Sequence, residues 1–410
     1  MRKRIGLILA GGLCPVVLTA QEAEPGGVFF TFDINQSLEA STDRDLSTPE
    51  EEDEVEATLG LRFGAVTETR TDRLAFGLGT DFRALEGDVS NDDASIRLSY
   101  DRNSADAVIN ASVSAIRSDI EFLRDASDFI NDEGEIELPD DFEDLTGTGT
   151  RTSSTIAAGL RWGETAPLGY RVSFSQQFLR YEDASAALAD SDTGSVSAGL
   201  RLNFNEVTTG NLDLSYTQTD EVGEPLEDRL TLSGSVTVDR PLGDLTFQLS
   251  SSRDEADDIF WAGSVSRRLA LPRSAISGSL GVVEDEFGDA RVTGSLGYSL
   301  PRPAAQIDLS ANRSLPPGGD RTTTTLRGTY AQELTPISNM VFEVTFGEAR
   351  DPDGSDRLAT GSVTGRYAVE LTPVWSFSLG AGINLRDEDG TERRSNSLFL
   401  GLERPISWRP

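Results

Sequence analysis

The stretch GLRLNFNEVTTGNLDLSYTQ, residues 199–218, alternates apolar and polar residues on both sides of a short polar connection. A period of two places the apolar residues on one face of a strand and the polar residues on the other. The stretch therefore predicts a β-hairpin with one apolar face. In a soluble sandwich such a face packs against protein, whereas in a membrane barrel it faces lipid. The apolar positions are Leu200, Leu202, Phe204, Leu212, Leu214 and Tyr216.

The same alternation recurs from Val28 to the C-terminus and gives about twenty strand-like runs, or eighteen if the pair within residues 289–313 is misread. The connections between runs alternate between two kinds. Connections of the first kind are short, and prolines spaced by 29 to 37 residues recur in five of them. Those of the second kind are longer and acidic, such as EGDVSNDD (86–93) and YEDASAALADSDT (181–193). The charge is thus sorted to one end of the predicted sheet. The five prolines are Pro241, Pro272, Pro301, Pro336 and Pro373.

This pattern resembles that of Gram-negative outer-membrane β-barrels as a class, over residues 21–410, and it carries no family-specific motif. The resemblance implies an all-β fold: a closed antiparallel transmembrane β-barrel with short periplasmic turns and acidic extracellular loops. It also implies a place in the outer membrane, where lipid and lipopolysaccharide would be partners. An extracellular array of β-sandwiches is the alternative. The outer wall leaves oligomerisation open.

The first twenty residues differ from all that follows. Arg2, Lys3 and Arg4 precede an apolar run that ends at Ala20. This is the pattern of a secretory signal peptide, so we expect residues 1–20 to be removed. The only cysteine, Cys14, lies in this segment between Leu13 and Pro15, which is a poor context for lipidation.

Composition excludes several classes of function. The formal net charge is −33 at pH 7, so the chain lacks the basic footprint of a nucleic-acid-binding protein. It contains no histidine, the commonest general base, and no pair of acids stands out from the many loop acids. We therefore expect no enzymatic activity, no catalytic residue, no metal site and no cofactor.

Charged residues recur at the predicted inward positions. Even-numbered strands place arginines there and odd-numbered strands place acids, and the spacing makes Arg327 a neighbour of Glu343 and Arg201 a neighbour of Asp213. One interpretation is a ladder of cross-strand ion pairs that stiffens the wall. The other is a cationic belt that selects solutes by charge. The residues predicted to line the lumen are Arg62, Arg97, Arg161, Arg201, Arg268, Arg327, Arg366, Asp33, Asp81, Asp213, Asp308 and Glu343.

The longest connection, residues 118–150, is the third predicted extracellular loop. Its first half places Ile120, Leu123, Ser127 and Ile130 at helical spacing. The third loop of porins commonly folds into the channel, so the resemblance implies a possible constriction here. The alternative is an external lid. Acid clusters at 351–356 and 387–390 match no calcium-loop spacing and are better explained as solvated charge or as loose divalent bridges to lipopolysaccharide.

Two functions fit this sequence. The first is an outer-membrane channel for passive diffusion of small hydrophilic solutes, since barrels of this size enclose an aqueous lumen. The second is a surface or structural protein of the outer membrane without a transport role. Conductance of the purified protein would distinguish them.

Overall fold

A computed structural model describes the chain over residues 27–42, 53–85, 88–120, 123, 126–130, 135, 136, 138, 139, 142, 145, 148–185, 188–319, 321–351, 357–388 and 390–409. For Asp88, Asp92, Ser127 and Asp128 it describes only the main chain. The predicted signal peptide, residues 1–20, lies outside the described residues.

The described chain forms twenty antiparallel strands and one short 3-10 helix, Ala126–Phe129, between β5 and β6. The strands are β1 Val28–Thr42, β2 Asp53–Glu68, β3 Asp72–Leu85, β4 Asp88–Asn103, β5 Ala107–Asp119, β6 Thr150–Trp162, β7 Leu168–Glu182, β8 Ser191–Asn205, β9 Thr208–Glu221, β10 Glu227–Val238, β11 Leu245–Asp254, β12 Ile259–Leu271, β13 Ser274–Glu284, β14 Ala290–Arg302, β15 Ala305–Ser314, β16 Thr322–Thr335, β17 Ser338–Arg350, β18 Arg357–Thr372, β19 Trp375–Glu388 and β20 Thr391–Trp408.

Each strand pairs with its neighbours in sequence, and β1 pairs with β20, so the sheet closes into a barrel. The closing ladder runs from Phe30 opposite Trp408 to Thr42 opposite Asn396. The rings of Phe30 and Trp408 stack across it, with centroids 5.3 Å apart. The prediction of about twenty strands is confirmed, because both β14 and β15 form within residues 289–313.

The two ends of the barrel differ as the sequence predicts. At the end that holds both barrel termini, the turns between strands are two to six residues long. At the other end the connections reach thirty residues, in the loop between β5 and β6. Short turns mark the periplasmic side of an outer-membrane barrel and long loops mark its outer side.

The extracellular loops are shorter than predicted because the strands run on past the apolar band. EGDVSNDD keeps only residues 86 and 87 as a connection, and β4 already begins at Asp88. RDEDGTERR keeps only residues 389 and 390. The backbone hydrogen bonds between two paired strands can continue beyond the membrane, where the side chains on both faces of the strands are polar and meet water. Many of the acids therefore stand on strand ends that project outward from the membrane.

The outer face of the barrel is apolar around its circumference. Leu214 on β9, Phe247 on β11 and Leu296 on β14 are 47%, 52% and 59% exposed. A closed sheet pairs every strand edge, and its exposed apolar face suits hydrocarbon. Within the described residues, no helix is both long and apolar enough to span a membrane.

The seventh loop, residues 285–289, is organised by one buried carboxylate. Asp285 is fully buried and accepts hydrogen bonds from the backbone N–H groups of Phe287 and Asp289 and from Nε of Arg291, at 3.0, 2.8 and 2.7 Å. Burial alone raises the pKa of this carboxyl. The bonds from Arg291 and from the two N–H groups outweigh burial, so that the pKa of Asp285 lies below its ordinary value of 3.8.

We expect Trp408→Ala to weaken the closing seam, because the substitution removes the ring that stacks on Phe30. Such a stack contributes about 1 kcal/mol beyond the apolar area that it buries. Trp261→Ala on β12 is the control, since it removes an equally outward ring from a site away from the seam. The measurement is the free energy of unfolding in urea, and heat-modifiable migration on gels reports the folded fraction. Equal losses for the two variants would contradict a special role of the seam.

We expect the seventh loop to open in acid. A carboxyl whose pKa is lowered in the fold stabilises it above the unfolded pKa, and this contribution disappears as the pH falls through the folded pKa. Asp285→Asn should reproduce the acid state at neutral pH. The measurement is chymotrypsin cleavage after the exposed Phe287, which should be faster in the variant. Asp289→Asn is the control because that carboxylate is 75% exposed and should tolerate the change.

Candidate functional site: the inner wall and the loop that crosses it

The inner face of the wall is identified by the loop that packs against it. Gly347 and Ala349 on β17 share one face with Leu358 and Thr360 on β18, and this face carries residues of the third loop. The opposite face carries exposed apolar side chains such as Val344 and Val363. Because alternation is continuous along each strand, the pairing register extends this assignment around the barrel.

Arg62 lies on the inner face of β2, opposite Asp33 on β1 and Gly79 on β3. Its Nη2 atom is 3.2 Å from Oδ2 of Asp81, which belongs to the next inward position of β3. Three of the predicted lumen residues, two acids and one arginine, thus lie together on three neighbouring strands.

Arg327 and Glu343 form the predicted cross-strand pair, with Nε of the arginine 2.6 Å from Oε1 of the glutamate. Both side chains are mostly buried, at 12% and 18% exposure. Arg366 faces inward on β18, opposite Gly380. Asp308 faces inward on β15 and accepts a hydrogen bond from Nε2 of Gln306 at 2.7 Å.

Arg201 and Asp213 are diagonal neighbours on β8 and β9, as predicted, but the predicted ion pair between them is wrong. Asp213 forms a two-bond ion pair with Arg171 of β7, two strands away. The strand between them places Gly199 directly opposite both residues, and a Cβ there would overlap the pair. Arg201 instead donates to the carbonyl oxygens of Gly163 and Glu164 in the turn below, at 2.7 and 2.8 Å.

The remaining predicted arginines face inward without forming one belt. Arg97 lies opposite Gly77, Arg268 lies opposite Ser277, and Arg161 lies with Nε 3.9 Å from Glu164. Arg161 stands one residue before the periplasmic end of β6, whereas Arg327 stands eight residues before that end of β16. At about 3.3 Å per residue, this difference spreads the arginines over about 23 Å of strand. The geometry favours bracing of the wall, and charge selection by these arginines stays a prediction.

The third loop, residues 120–149, has an apolar root on the strands from which it emerges. Ile120, Leu145 and Leu188 form a buried cluster, joined by Tyr181 of β7 and by Phe129. Of the described residues in the predicted helical segment, Ala126–Phe129 form a short 3-10 helix, and Ile130 forms an isolated bridge with Ile136. Ser127 is described in its main chain alone.

The same loop reaches the far side of the barrel. Phe142 is 2% exposed and packs with Ala349 of β17 and Leu358 of β18, while its ring meets that of Phe129 edge to face at 5.5 Å. The N–H of Ala126 donates to Oγ1 of Thr360 at 3.1 Å. Between the two anchor points the wall holds ten strands on one side, β7–β16, and six on the other, β1–β4 with β19 and β20. The loop therefore lies nearly along a diameter of the extracellular mouth.

A second loop also leaves its own strands. In the eighth loop, residues 315–321, the carbonyl oxygens of Pro317 and Gly318 accept bonds from Arg229 of β10, at 2.8 and 3.4 Å. Gly318 adopts a positive φ of 67° and sits on the ring of Phe260 where a Cβ would overlap it. This loop leans inward over the larger compartment, β7–β16.

Sequence reasoning from charges missed the largest chemical feature of the inner wall. From β7 to β15 the inward positions are mainly serine and threonine, and their hydroxyls pair across strands. The distances between paired oxygens are 2.6 Å for Ser173 and Ser197 and 2.8 Å for Ser279 and Ser295. The signal is present in the sequence as serine and threonine at alternate positions, such as Ser195 and Ser197 before the opening hairpin and Ser215 and Thr217 within it.

Among the described residues, no group of three or more acid, cysteine or histidine side chains is arranged to hold a metal ion. The acid clusters at 351–356 and 387–390 fall partly outside the described residues, at 352–356 and at 389.

We expect Gly199→Ala to disrupt the pair of Arg171 and Asp213, because the added methyl overlaps both side chains. The two charges would lose their mutual hydrogen bonds, and the variant should unfold at lower urea concentration. Gly77→Ala is the matched control, since that inward glycine on β3 has open space where its Cβ would be. If the two variants are equally stable, Gly199 is not required by the pair.

Comparison with known proteins supports the fold. No protein-family model and no curated protein sequence matches the chain. Solved structures do. The siderophore receptor PirA from Pseudomonas aeruginosa has a TM-score of 0.51 and 10% identity, over 94% of this chain and 81% of that chain. PirA from Acinetobacter baumannii has a TM-score of 0.51 and 6% identity, over the same shares.

A mutant of the ferric enterobactin receptor PfeA from Pseudomonas aeruginosa, in complex with enterobactin, has a TM-score of 0.51 and 10% identity, over 94% and 82% of the two chains. At these identities the likeness concerns the fold. Together with the closed sheet and its apolar outer wall, it assigns this chain to the outer-membrane β-barrels and places it in the outer membrane.

Proposed function

We propose that this barrel is a channel for passive diffusion of small hydrophilic solutes, and that the third loop narrows it. The observation that carries the proposal is the diametric course of this loop inside a barrel with a polar inner wall. Barrels of 16–18 strands leave an aqueous lumen, so twenty strands enclose a wider one. A loop fixed at both sides of that lumen would limit the size of what passes.

The far anchor of the loop is built so that the loop fits closely against the wall. Gly347 leaves room for Ala126, since a Cβ on the glycine would lie 2.7 Å from Cβ of Ala126 and 3.2 Å from Cδ1 of Leu138. Thr360 is 1% exposed and its hydroxyl accepts the N–H of Ala126. An anchor of this kind holds a loop in one position, as a constriction requires.

We expect Thr360→Val to loosen the far anchor. The hydrogen bond from Ala126 contributes about 1 kcal/mol, so its loss shifts the docked population about fivefold. Single-channel recording in planar bilayers should then show larger or more variable openings. Thr360→Ser keeps the hydroxyl and is the control.

The outcomes separate the rival functions. Identical conductance of wild type and Thr360→Val would mean that the third loop does not limit the current. Absence of conductance from correctly folded wild-type protein would contradict the channel and favour a surface or structural role. We also propose that the protein has no enzymatic activity. This proposal rests on the amino-acid composition, which contains no histidine.

Lipopolysaccharide is the partner that we propose for the outer rim. Arg313 and Arg350 are exposed on the outer face, at the extracellular ends of β15 and β17. They stand above apolar residues such as Leu309 and Phe342. Cations above an apolar wall suit a lipid with phosphate groups and acyl chains. Assembly into oligomers stays a prediction.

A further inference from the structure

We propose that the larger compartment of the lumen contains a binding site for a neutral, hydroxyl-rich solute of the saccharide class. The inference rests on the proposed channel function and names the solute that its wall would recognise. The site is a cavity of about 450 Å³ on the inner face of β7–β11. It is lined by Arg171, Ser173, Ser197, Asp213, Ser233 and Gln248.

The position of the cavity makes it part of the path through the barrel. It lies on β7–β11, all of which belong to the compartment of ten strands on one side of the third loop. Asp213 and Ser233 are directly opposite each other, and Ser235 is opposite Gln248. Neighbouring strands are about 4.8 Å apart, so five strands offer a polar surface about 19 Å wide.

The chemistry of this surface suits hydroxyl groups. A serine hydroxyl both donates and accepts, and a glutamine amide presents both functions as well. Each hydroxyl of a polyol also donates and accepts hydrogen bonds. A polyol can therefore replace the hydrogen bonds that the wall residues make with water or with one another. The bond between Ser173 and Ser197 is of this exchangeable kind. Gln248 is exposed to the lumen and able to reach a solute.

The charges in the cavity are already satisfied by each other. Arg171 donates from Nε and Nη2 to the two oxygens of Asp213, the strong bidentate arrangement. The exposed fractions are 50% for Arg171 and 21% for Asp213, so the pair remains accessible at its edges. A charged solute would have to compete with this pair, whereas a neutral solute can accept and donate around it. The cavity therefore discriminates against ions.

The rest of the wall differs from this sector. In the smaller compartment, inward charges are dense: Arg62 pairs with Asp81, and Arg83 pairs with both Glu56 and Asp93. The mouth is thus divided by the third loop into a side with a charged wall and a side with a mainly hydroxyl wall. The saccharide site belongs to the second side.

The test combines two measurements on the full-length folded barrel. The probe is a short linear glucose oligosaccharide. Its binding is measured by calorimetry in detergent, and its block of the ionic current is measured in planar bilayers. We expect saturable binding and a matching block. The variant Ser173→Ala/Ser197→Ala should bind roughly tenfold more weakly, as expected for the loss of two neutral hydrogen bonds.

The matched control is Ser279→Ala/Ser295→Ala. It removes another cross-strand hydroxyl pair from the inner wall, on β13 and β14 and outside the cavity. The control should bind the oligosaccharide as the wild type does. Both variants are checked for heat-modifiable migration, so that loss of folding is not scored as loss of the site.

Each result has a separate meaning. Conductance without oligosaccharide binding, or equal weakening by both variants, overturns the saccharide site and leaves the channel intact. Binding by calorimetry without conductance supports the site and contradicts the proposed channel. Block by inorganic phosphate that Arg171→Gln abolishes, with no effect of the oligosaccharide, shows an anion site instead and overturns the inference.

Discussion

The whole structure depends on hydrogen bonds between backbone groups, because the hydrocarbon around the barrel offers no hydrogen-bonding partner. Hydrocarbon cannot hydrogen-bond an exposed N–H or C=O group, so a membrane-spanning sheet has to close on itself. Here closure is the ladder between β1 and β20, and the stack of Phe30 on Trp408 seals its periplasmic end. Once the sheet is closed, alternation along the strands assigns every side chain to lipid or to the lumen. The polar wall, the crossing loop and the candidate sites are consequences of that assignment.

The inner wall combines two ways of managing polarity. On one side of the third loop, charges neutralise one another in pairs that lie against the wall. On the other side, many uncharged hydroxyls pair across strands, and the ion pair of Arg171 with Asp213 lies among them. This arrangement is compatible with the strongly acidic exterior, because many of the acids stand on strand ends that project beyond the membrane.

The sequence was sufficient for the architecture and insufficient for the contacts that shape the lumen. The two-residue period of apolar side chains predicts the number of strands, and the lengths of the connections predict the two ends of the barrel. Counting equal distances on both sides of a turn predicts the pair of Arg327 with Glu343. The partner of Asp213 does not, because Arg171 reaches it across a third strand through the space that Gly199 leaves. The anchor of the third loop could not be predicted from the sequence either, because Ala126 and Thr360, which form its hydrogen bond, are 234 positions apart. Local patterns carry no information about such distant partners.

That separation has a consequence for the order of assembly. The far anchor of the third loop is made of β17 and β18, which follow the loop by about two hundred positions of sequence. Contacts between positions so distant in sequence form only after the intervening chain is ordered. The loop therefore docks only after β17 and β18 have paired and presented their inner face.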